Sequence, residues 1–319
     1  MYFRNFFSHL GKESLKTGEF KKEMNFLKLQ FFLEDKAIYL FLLMRLLRES
    51  VRIYRISKYI KSDDLNKLSD LDISKYKSSD TLFVMGSGAS INDLGDKEWQ
   101  IIAESNSIGI NFWLIHEFVP TYYMFETVKH NSDRLKVLFN LLDLKSRDYV
   151  NTPFLVKNIE SGHLNLSEIP ESLKANLYVP YKIVIPGFRQ STFSRSLNLI
   201  NILKLHEVSN FLFFKRASIS QAISFGLKMK YKEIVLCGVD LNNTQYFYED
   251  SEYCSKNIPL PEKIQRGSIH RIADPNYGNL TIDIIIDEMN RCLLKANNVR
   301  LYIGSKKSAL YPMLPYYFD

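Results

Sequence analysis

Short apolar runs alternate with longer stretches of helical period from Thr81 to the end of the chain. The runs predict strands over 81–86, 106–111, 121–126, 152–157, 182–186, 233–239 and 299–303. The stretches between them predict helices over 95–104, 131–143, 191–205, 218–230, 282–296 and 306–312. Regular alternation of the two kinds argues for an α/β fold, a Rossmann-like, mainly parallel sheet with covering helices. Ahead of Thr81 the pattern changes. Lys21 to Lys58 contains no Pro or Gly and is rich in Lys, Arg, Leu, Phe and Ile, which predicts helix. Its most apolar part, Ala37 to Leu47, is about 11 residues interrupted by Arg45, against roughly 20 needed to span a bilayer. Arg48, Arg52, Arg55, Lys58 and Lys61 come next, so residues 21–61 suit the plane of an anionic membrane surface; a helical hairpin covering the main domain or a dimer partner is the plainer alternative. The expected division is a helical, basic N-terminal extension with its polar linker over 1–78, then one large domain over 79–319.

Composition narrows the function classes. Among 319 residues 46% are hydrophobic and 13% aromatic, enough for a sizeable core and against global disorder. The net charge of +7 suits an acidic membrane or an anionic substrate. No recognised DNA- or RNA-binding module accompanies it, which argues against nucleic acid. Cys237, Cys254 and Cys292 are isolated, arguing against a disulfide framework and a Cys-x-x-Cys zinc site. Met1 to Lys12 lacks the apolar core of a secretory signal, so the chain reads as cytoplasmic.

The most informative segment is Thr81 to Asn92, TLFVMGSGASIN. A buried-type strand turns through Gly86, Ser87 and Gly88 into Ala89 and Ser90. Glycines there are expected for φ angles closed to other residues and for close approach of backbone N–H groups to a ligand. A helix start beyond them would aim its unpaired N–H groups at a phosphate. The full Gly-x-Gly-x-x-Gly fingerprint fails at Ile91, and no Gly-Lys-Ser comes after it. A turn that uses glycine only to turn is the rival reading. The second signal is Ile219 to Asn243, a helix, a buried strand and the strand end Gly238-Val239-Asp240. Ligands in open α/β sheets sit beyond the carboxyl ends of the strands, so Asp240 to Tyr248 is expected near the glycine loop. Asp240 either binds ligand hydroxyls or caps the turn.

These pieces occur in an order that resembles a known family. The strand–GSGAS–helix opening, IGIN (Ile108 to Asn111), YKEIVLCGVD (Tyr231 to Asp240) and LYIGSKKSAL (Leu301 to Leu310) are similar to the bacterial sialyltransferases that use CMP-sialic acid on a single GT-A-like, Rossmann-like sheet without a metal. The domain of motility-associated flagellin glycosyltransferases shares the opening loop. The resemblance spans roughly 80 to 312 and leaves the N-terminal extension outside. It implies a CMP site at Gly86, Ser87, Gly88 and Ser90, with Asn111 and Ser218 on the donor side. Tyr248, with Tyr246 close by, would meet the donor phosphate. Three departures stand out: GSGAS where the family has Asn and then Gly-Pro-Ser, Glu126 where it has a second asparagine, and Asn242 where it has a tyrosine. For the general base the resemblance points to His270 or Asp274. Glu126, at a strand end, is a third candidate, and Arg266 and Arg271 nearby either hold the carboxylate of an acidic sugar or are simply solvated. The remaining histidines, His9, His116, His130, His163 and His206, show no metal-ligand spacing.

The implied reaction moves sialic acid or a related nonulosonate or Kdo-type sugar from a CMP-activated donor to a surface glycan. Its departing phosphate charge needs positioned donors or a metal. Asp70-Leu71-Asp72, the only Asp-x-Asp, lies before the first strand, so no metal and no cofactor beyond the CMP-sugar is expected. The implied partners are the donor and a glycan acceptor, in a peripheral protein at the inner face of the cytoplasmic membrane, with a homo-oligomer left open. Two rivals are carried: a Rossmann-like methyltransferase using S-adenosylmethionine, against which Asn111 stands where an acid is expected, and a non-catalytic polysaccharide-assembly factor.

Overall fold

The computed structural model describes residues 29, 32–34, 36–126, 132–157, 159, 166–256, 258–262 and 270–319. Much of 21–37, together with His9, His130, His163 and Arg266, lies outside them. Eight parallel strands make one sheet in the order β1-β6-β5-β4-β3-β2-β9-β10. They are β1 (Asn66–Lys67), β2 (Thr81–Met85), β3 (Asn106–Ile110), β4 (Tyr122–Glu126), β5 (Phe154–Lys157), β6 (Leu177–Val179), β9 (Glu233–Cys237) and β10 (Arg300–Ile303). The expected parallel α/β sheet is present. A separate parallel pair, β7 (Tyr181–Val184) and β8 (Phe211–Phe214), lies beside it. The strand expected at 182–186 therefore belongs to a second sheet. Pro180 has no N–H to continue a ladder, and the chain changes sheet there. Strands β1, β6 and β8 are two, three and four residues long, and the sequence pattern passes over them.

The principal helices are α1 (Ile38–Ser62), α2 (Asp96–Ala103), α3 (Ser132–Leu144), α4 (Gln190–Ile202), α5 (Ser218–Lys228) and α6 (Ile282–Met289). The helix expected at 306–312 is absent. Turns replace it, with the Ser305 carbonyl accepting from Ser308 N–H and Ser308 Oγ from Leu310 N–H. Local serine bonds of this kind compete with a helix ladder, and Pro312 cannot continue one. Among the described residues, no helix is long and apolar enough to cross a membrane.

Every residue of β2 is buried, because helices cover both faces of a parallel sheet. Leu82 and Val84 join one apolar layer with Ile223, Phe225 and Ile286; Phe83 and Met85 join the other with Trp113, Phe125 and Phe247. Cys237 and Cys292 are buried free thiols and Cys254 is an exposed one. The aromatic tail packs on the sheet: Tyr317 and Phe318 meet the Phe83 ring at 5.3 and 6.0 Å.

His116 belongs to the second layer. Its ring stacks on Trp113 at 4.6 Å and Trp99 at 4.9 Å, and its Nδ1 accepts the Phe118 N–H. Burial disfavours the imidazolium and pulls its pKa down to about 4. In the unfolded chain the same ring takes a proton near 6.5, so stability present above that pH falls as the solution is acidified towards 4. His116→Phe should flatten that loss by about 2 kcal/mol, after discounting the ring's partial exposure. Urea midpoints for both proteins at pH 7 and pH 4.5 measure it, and parallel pH dependences would contradict it.

Candidate functional site

Chain order in the sheet reverses at β2. From it β3, β4, β5 and β6 extend to one side, while β9 and β10 lie on the other. Loops leaving β2 and its two neighbours must diverge at such a point, which opens a crevice beyond their carboxyl ends. A hollow of ≈ 270 Å³ lies there. Its wall holds Gly86, Ser87 and Gly88 after β2, Asn111 and Phe112 after β3, Glu126 at the tip of β4, and Gly238 to Leu241 after β9. Arg216 comes from the turn between β8 and α5, Ser218 from the start of α5, Arg134 from α3, and Tyr246, Tyr248 and His270 from the long connection after β9. Gly86 and Asp240 are thus neighbours at one end of the sheet.

The glycines act differently from the sequence expectation. The Gly86 N–H donates to the Cys237 carbonyl and the Gly88 N–H to the Gly238 carbonyl, each at 2.8 Å. Both amides are engaged by the end of β9 and the residue just after it, and neither points to a phosphate. Gly88 has an ordinary φ of −68°, and the chain beyond it forms a 3₁₀ turn, Ala89–Asp93, in place of an α-helix. Close approach is what demands glycine: a Cβ on Gly86 would lie 2.5 Å from the Gly238 oxygen, and one on Gly88 2.6 Å from Asp240 Oδ2. The positive φ belongs to Gly238, at +64°.

Asp240 closes this junction. Its buried carboxylate accepts from the Ser90 N–H at 3.0 Å and from the Ser90 hydroxyl. Ser90 is therefore engaged below the wall, and Asp240 reaches the wall as a latch between β2 and β9. Ala309 N–H donates to the Asp240 carbonyl at 2.8 Å and Ser308 Oγ to that of Val239, so the tail motif braces the same loop. Asn242 turns away: its amide donates to the Lys307 carbonyl at 2.8 Å, and Asn243 and Gln245 line the hollow instead. The 246–248 segment runs beside the glycine loop, with Gly88 bridged to Tyr246 and Phe247 N–H donating to the Ser87 carbonyl at 3.1 Å. Tyr246 and Tyr248 bring their rings within 5.0 Å of each other, and Tyr246 is 6.3 Å from the His270 ring.

The three base candidates separate. His270 is on the wall, its N–H donating to the Leu241 carbonyl at 3.3 Å and its Nδ1 accepting from Ile272 N–H at 3.4 Å. Glu126 is also on the wall, 3.6 Å from Lys157 Nζ. Asp274 is not: its carboxylate caps the turn at Pro275 by accepting from Asn276 N–H at 2.8 Å. Arg271 lies off the wall, its carbonyl accepting from Arg216 Nη2 at 3.1 Å.

Lys157, Arg134 and Arg216 went unread in the sequence. Lys157 ends β5, fully buried, and donates to Ser218 Oγ, which lies 3.4 Å from Asn111 Oδ1. Desolvation lowers its pKa, and Glu126 opposes that shift. A lysine closing the apolar run FLVK was the available signal, since strand tips carry the site in such sheets. Arg134 lies over the Phe112 ring at 4.5 Å and also lines an adjoining hollow of ≈ 230 Å³ with Asn111, Phe112, Phe125 and Glu126. The site is thus two-lobed. Arg216 donates to the Leu280, Arg271 and Asp274 carbonyls at 2.8 to 3.2 Å, holding the 271–280 segment beside the hollow. Its φ of +66° and that of Asn111, +57°, are left-handed; asparagine tolerates that region better than most side chains.

No protein-family model matches the chain, and neither does any curated protein. Among solved structures, the crystal structure of the monofunctional alpha-2,3-sialyltransferase Cst-I from Campylobacter jejuni is similar to it. Identity is 13%, the match covers 75% of this chain and 81% of that one, and the TM-score is 0.42. At that level the similarity assigns no residue a role.

Proposed function

We propose that this chain is a glycosyltransferase that moves sialic acid or a related acidic sugar from a CMP-activated donor to a glycan hydroxyl. The observation that carries the reading is convergence. Gly86 to Gly88, Asn111, Ser218, Tyr246, Tyr248 and His270, picked out by sequence resemblance across 185 positions of chain, share the wall of one switch-point cavity. The chemistry of that wall is compatible with the reaction. Tyrosine hydroxyls and the positive charge of Arg134 and Arg216 favour an anionic donor and its departing phosphate. Two lobes meeting at Asn111, Phe112, Glu126 and Arg134 suit a ligand with a nucleotide half and a sugar half. Ser87, held between two pinned glycines, is the loop side chain on the wall.

In the proposed step the bond from the anomeric carbon to the phosphate oxygen breaks, and its electron pair leaves on CMP. The acceptor oxygen bonds to that carbon, and its proton passes to His270. Such base assistance is typically worth 10²–10⁴-fold. Lys157 and Glu126 would orient Ser218 and Asn111 beneath the donor.

The test is nucleotide binding by thermal shift. CMP at about 100 times its Kd should stabilise the protein by about 2.7 kcal/mol, and AMP or adenosylhomocysteine should not. A shift with adenosylhomocysteine and none with CMP would replace this reading by the methyltransferase one; no shift with any nucleotide would favour the non-catalytic assembly factor.

A further inference from the structure

Helix α1 has two unlike faces. Phe41, Ile56 and Ile60 are buried against the body of the protein, where the Glu49 carboxylate accepts from the Val184 N–H at 3.1 Å and Ser57 Oγ donates to the Tyr181 hydroxyl at 3.0 Å. Glu34, just before the helix, accepts from Phe188 and Arg189 N–H at 2.9 and 3.0 Å. These bonds fix the helix along β7, so its opposite face points outward. That face carries Tyr39, Leu43, Leu46, Leu47, Val51 and Tyr54, each more than half exposed, from 52% for Leu43 to 86% for Tyr39. Steps of three and four residues keep them on one stripe of the helix. A stripe of this size on a protein surface marks an interaction site.

Charge selects the occupant. Arg48 and Arg55 flank the stripe along one edge, Lys58 and Lys61 continue its line towards Ser62, and all four are exposed. The only acid between Ile38 and Ser62 is Glu49, which is buried and paired with Arg52. Two copies of the chain packed through this face would bring these cations together with no carboxylate on the facing helix. An anionic lipid surface takes the apolar stripe into its acyl boundary and the cations at its headgroups. We infer that this outer face of α1 docks on an anionic membrane surface, with the helix lying in the plane of the lipid. Strand β8, the partner of β7, runs on into Phe214 and Arg216 on the cavity wall. Docking through α1 therefore holds the cavity in a fixed orientation to the lipid. The inference stands on α1 alone and does not depend on what the cavity catalyses.

Sedimentation of the full chain with vesicles tests it. Phosphatidylcholine vesicles carrying a quarter phosphatidylglycerol should bind at least tenfold more tightly than pure phosphatidylcholine. Arg48→Gln with Arg55→Gln should weaken that binding by about fivefold per cation. Leu43→Ser with Leu47→Ser should abolish it, and Tyr39→Ser with Tyr54→Ser repeats the test on a second pair should the first lower the melting temperature. Absence of vesicle binding, equal binding to both lipid compositions, or a dimer that Leu43→Ser dissolves in light scattering would each overturn the proposal.

Discussion

Gly86→Ala is expected to cost at least about 3 kcal/mol, at the upper end of overpacking and a large part of the 5–15 kcal/mol that holds a typical domain together. The added methyl would lie 2.5 Å from the Gly238 oxygen and 3.0 Å from that of Cys237. Both are backbone atoms, at the end of β9 and just beyond it, so no rotamer change relieves the contact. Relief requires β2 and β9 to part at their carboxyl ends, which also breaks the two 2.8 Å bonds from Gly86 and Gly88 and strains the Ser90–Asp240 latch. Ser87→Gly is the control. It removes only a half-exposed side chain between the pinned positions, and its cost should stay near that of one added glycine, about 1 kcal/mol. Urea midpoints of the three proteins decide the matter. A wild-type midpoint for Gly86→Ala would mean that the strand tips do not meet as described.

The second large effect is on rate. Given the proposed reaction, His270→Ala should lower turnover of a CMP-sugar donor 10²- to 10⁴-fold, with CMP affinity changed less than threefold. Asp274→Asn should keep turnover within fivefold, because that carboxylate caps the Pro275 turn off the wall. Should Glu126→Gln abolish turnover while His270→Ala spares it, the base is Glu126. The comparison is informative because the two groups sit in different settings: Glu126 is 3.6 Å from the buried Lys157 ammonium, and His270 is beside the Tyr246 ring. Single-turnover rates together with CMP thermal shifts separate loss of chemistry from loss of binding.

How far the site could be read from the sequence varied with the kind of signal. The glycine loop and the GVD strand end were legible because each pairs a buried strand with a turn residue, a purely local pattern. Their proximity came from a general rule about strand ends. The reason for the glycines was not legible. A φ requirement and a ligand approach leave the same letters in a sequence as a Cβ that would strike a neighbouring strand. Lys157 was missed because an apolar strand that ends in lysine looks like any strand reaching the surface, yet here β4 and α5 cover it. Arg134 and Arg216 were missed for the complementary reason: a helix-start arginine and a turn arginine are ordinary surface residues until a cavity opens beside them. Asn242 shows the opposite error, a residue at a suggestive spacing that the Lys307 carbonyl draws away from the wall.

From its sequence alone, this protein was bound to be an α/β chain with strands at β2, β3, β4, β5, β9 and β10 and a basic amphipathic helix ahead of them. Periodicity and the absence of helix breakers are properties of neighbouring residues, and no distant contact is needed to express them. Tertiary structure alone decided that chain order reverses at β2, that Gly86 faces Gly238, that Asp240 grips Ser90, and that Lys157 is sealed beneath Ser218. The last three pair residues 61 to 152 positions apart, where no local pattern carries information. The contact exists only because the sheet aligns the ends of strands made far apart in the chain.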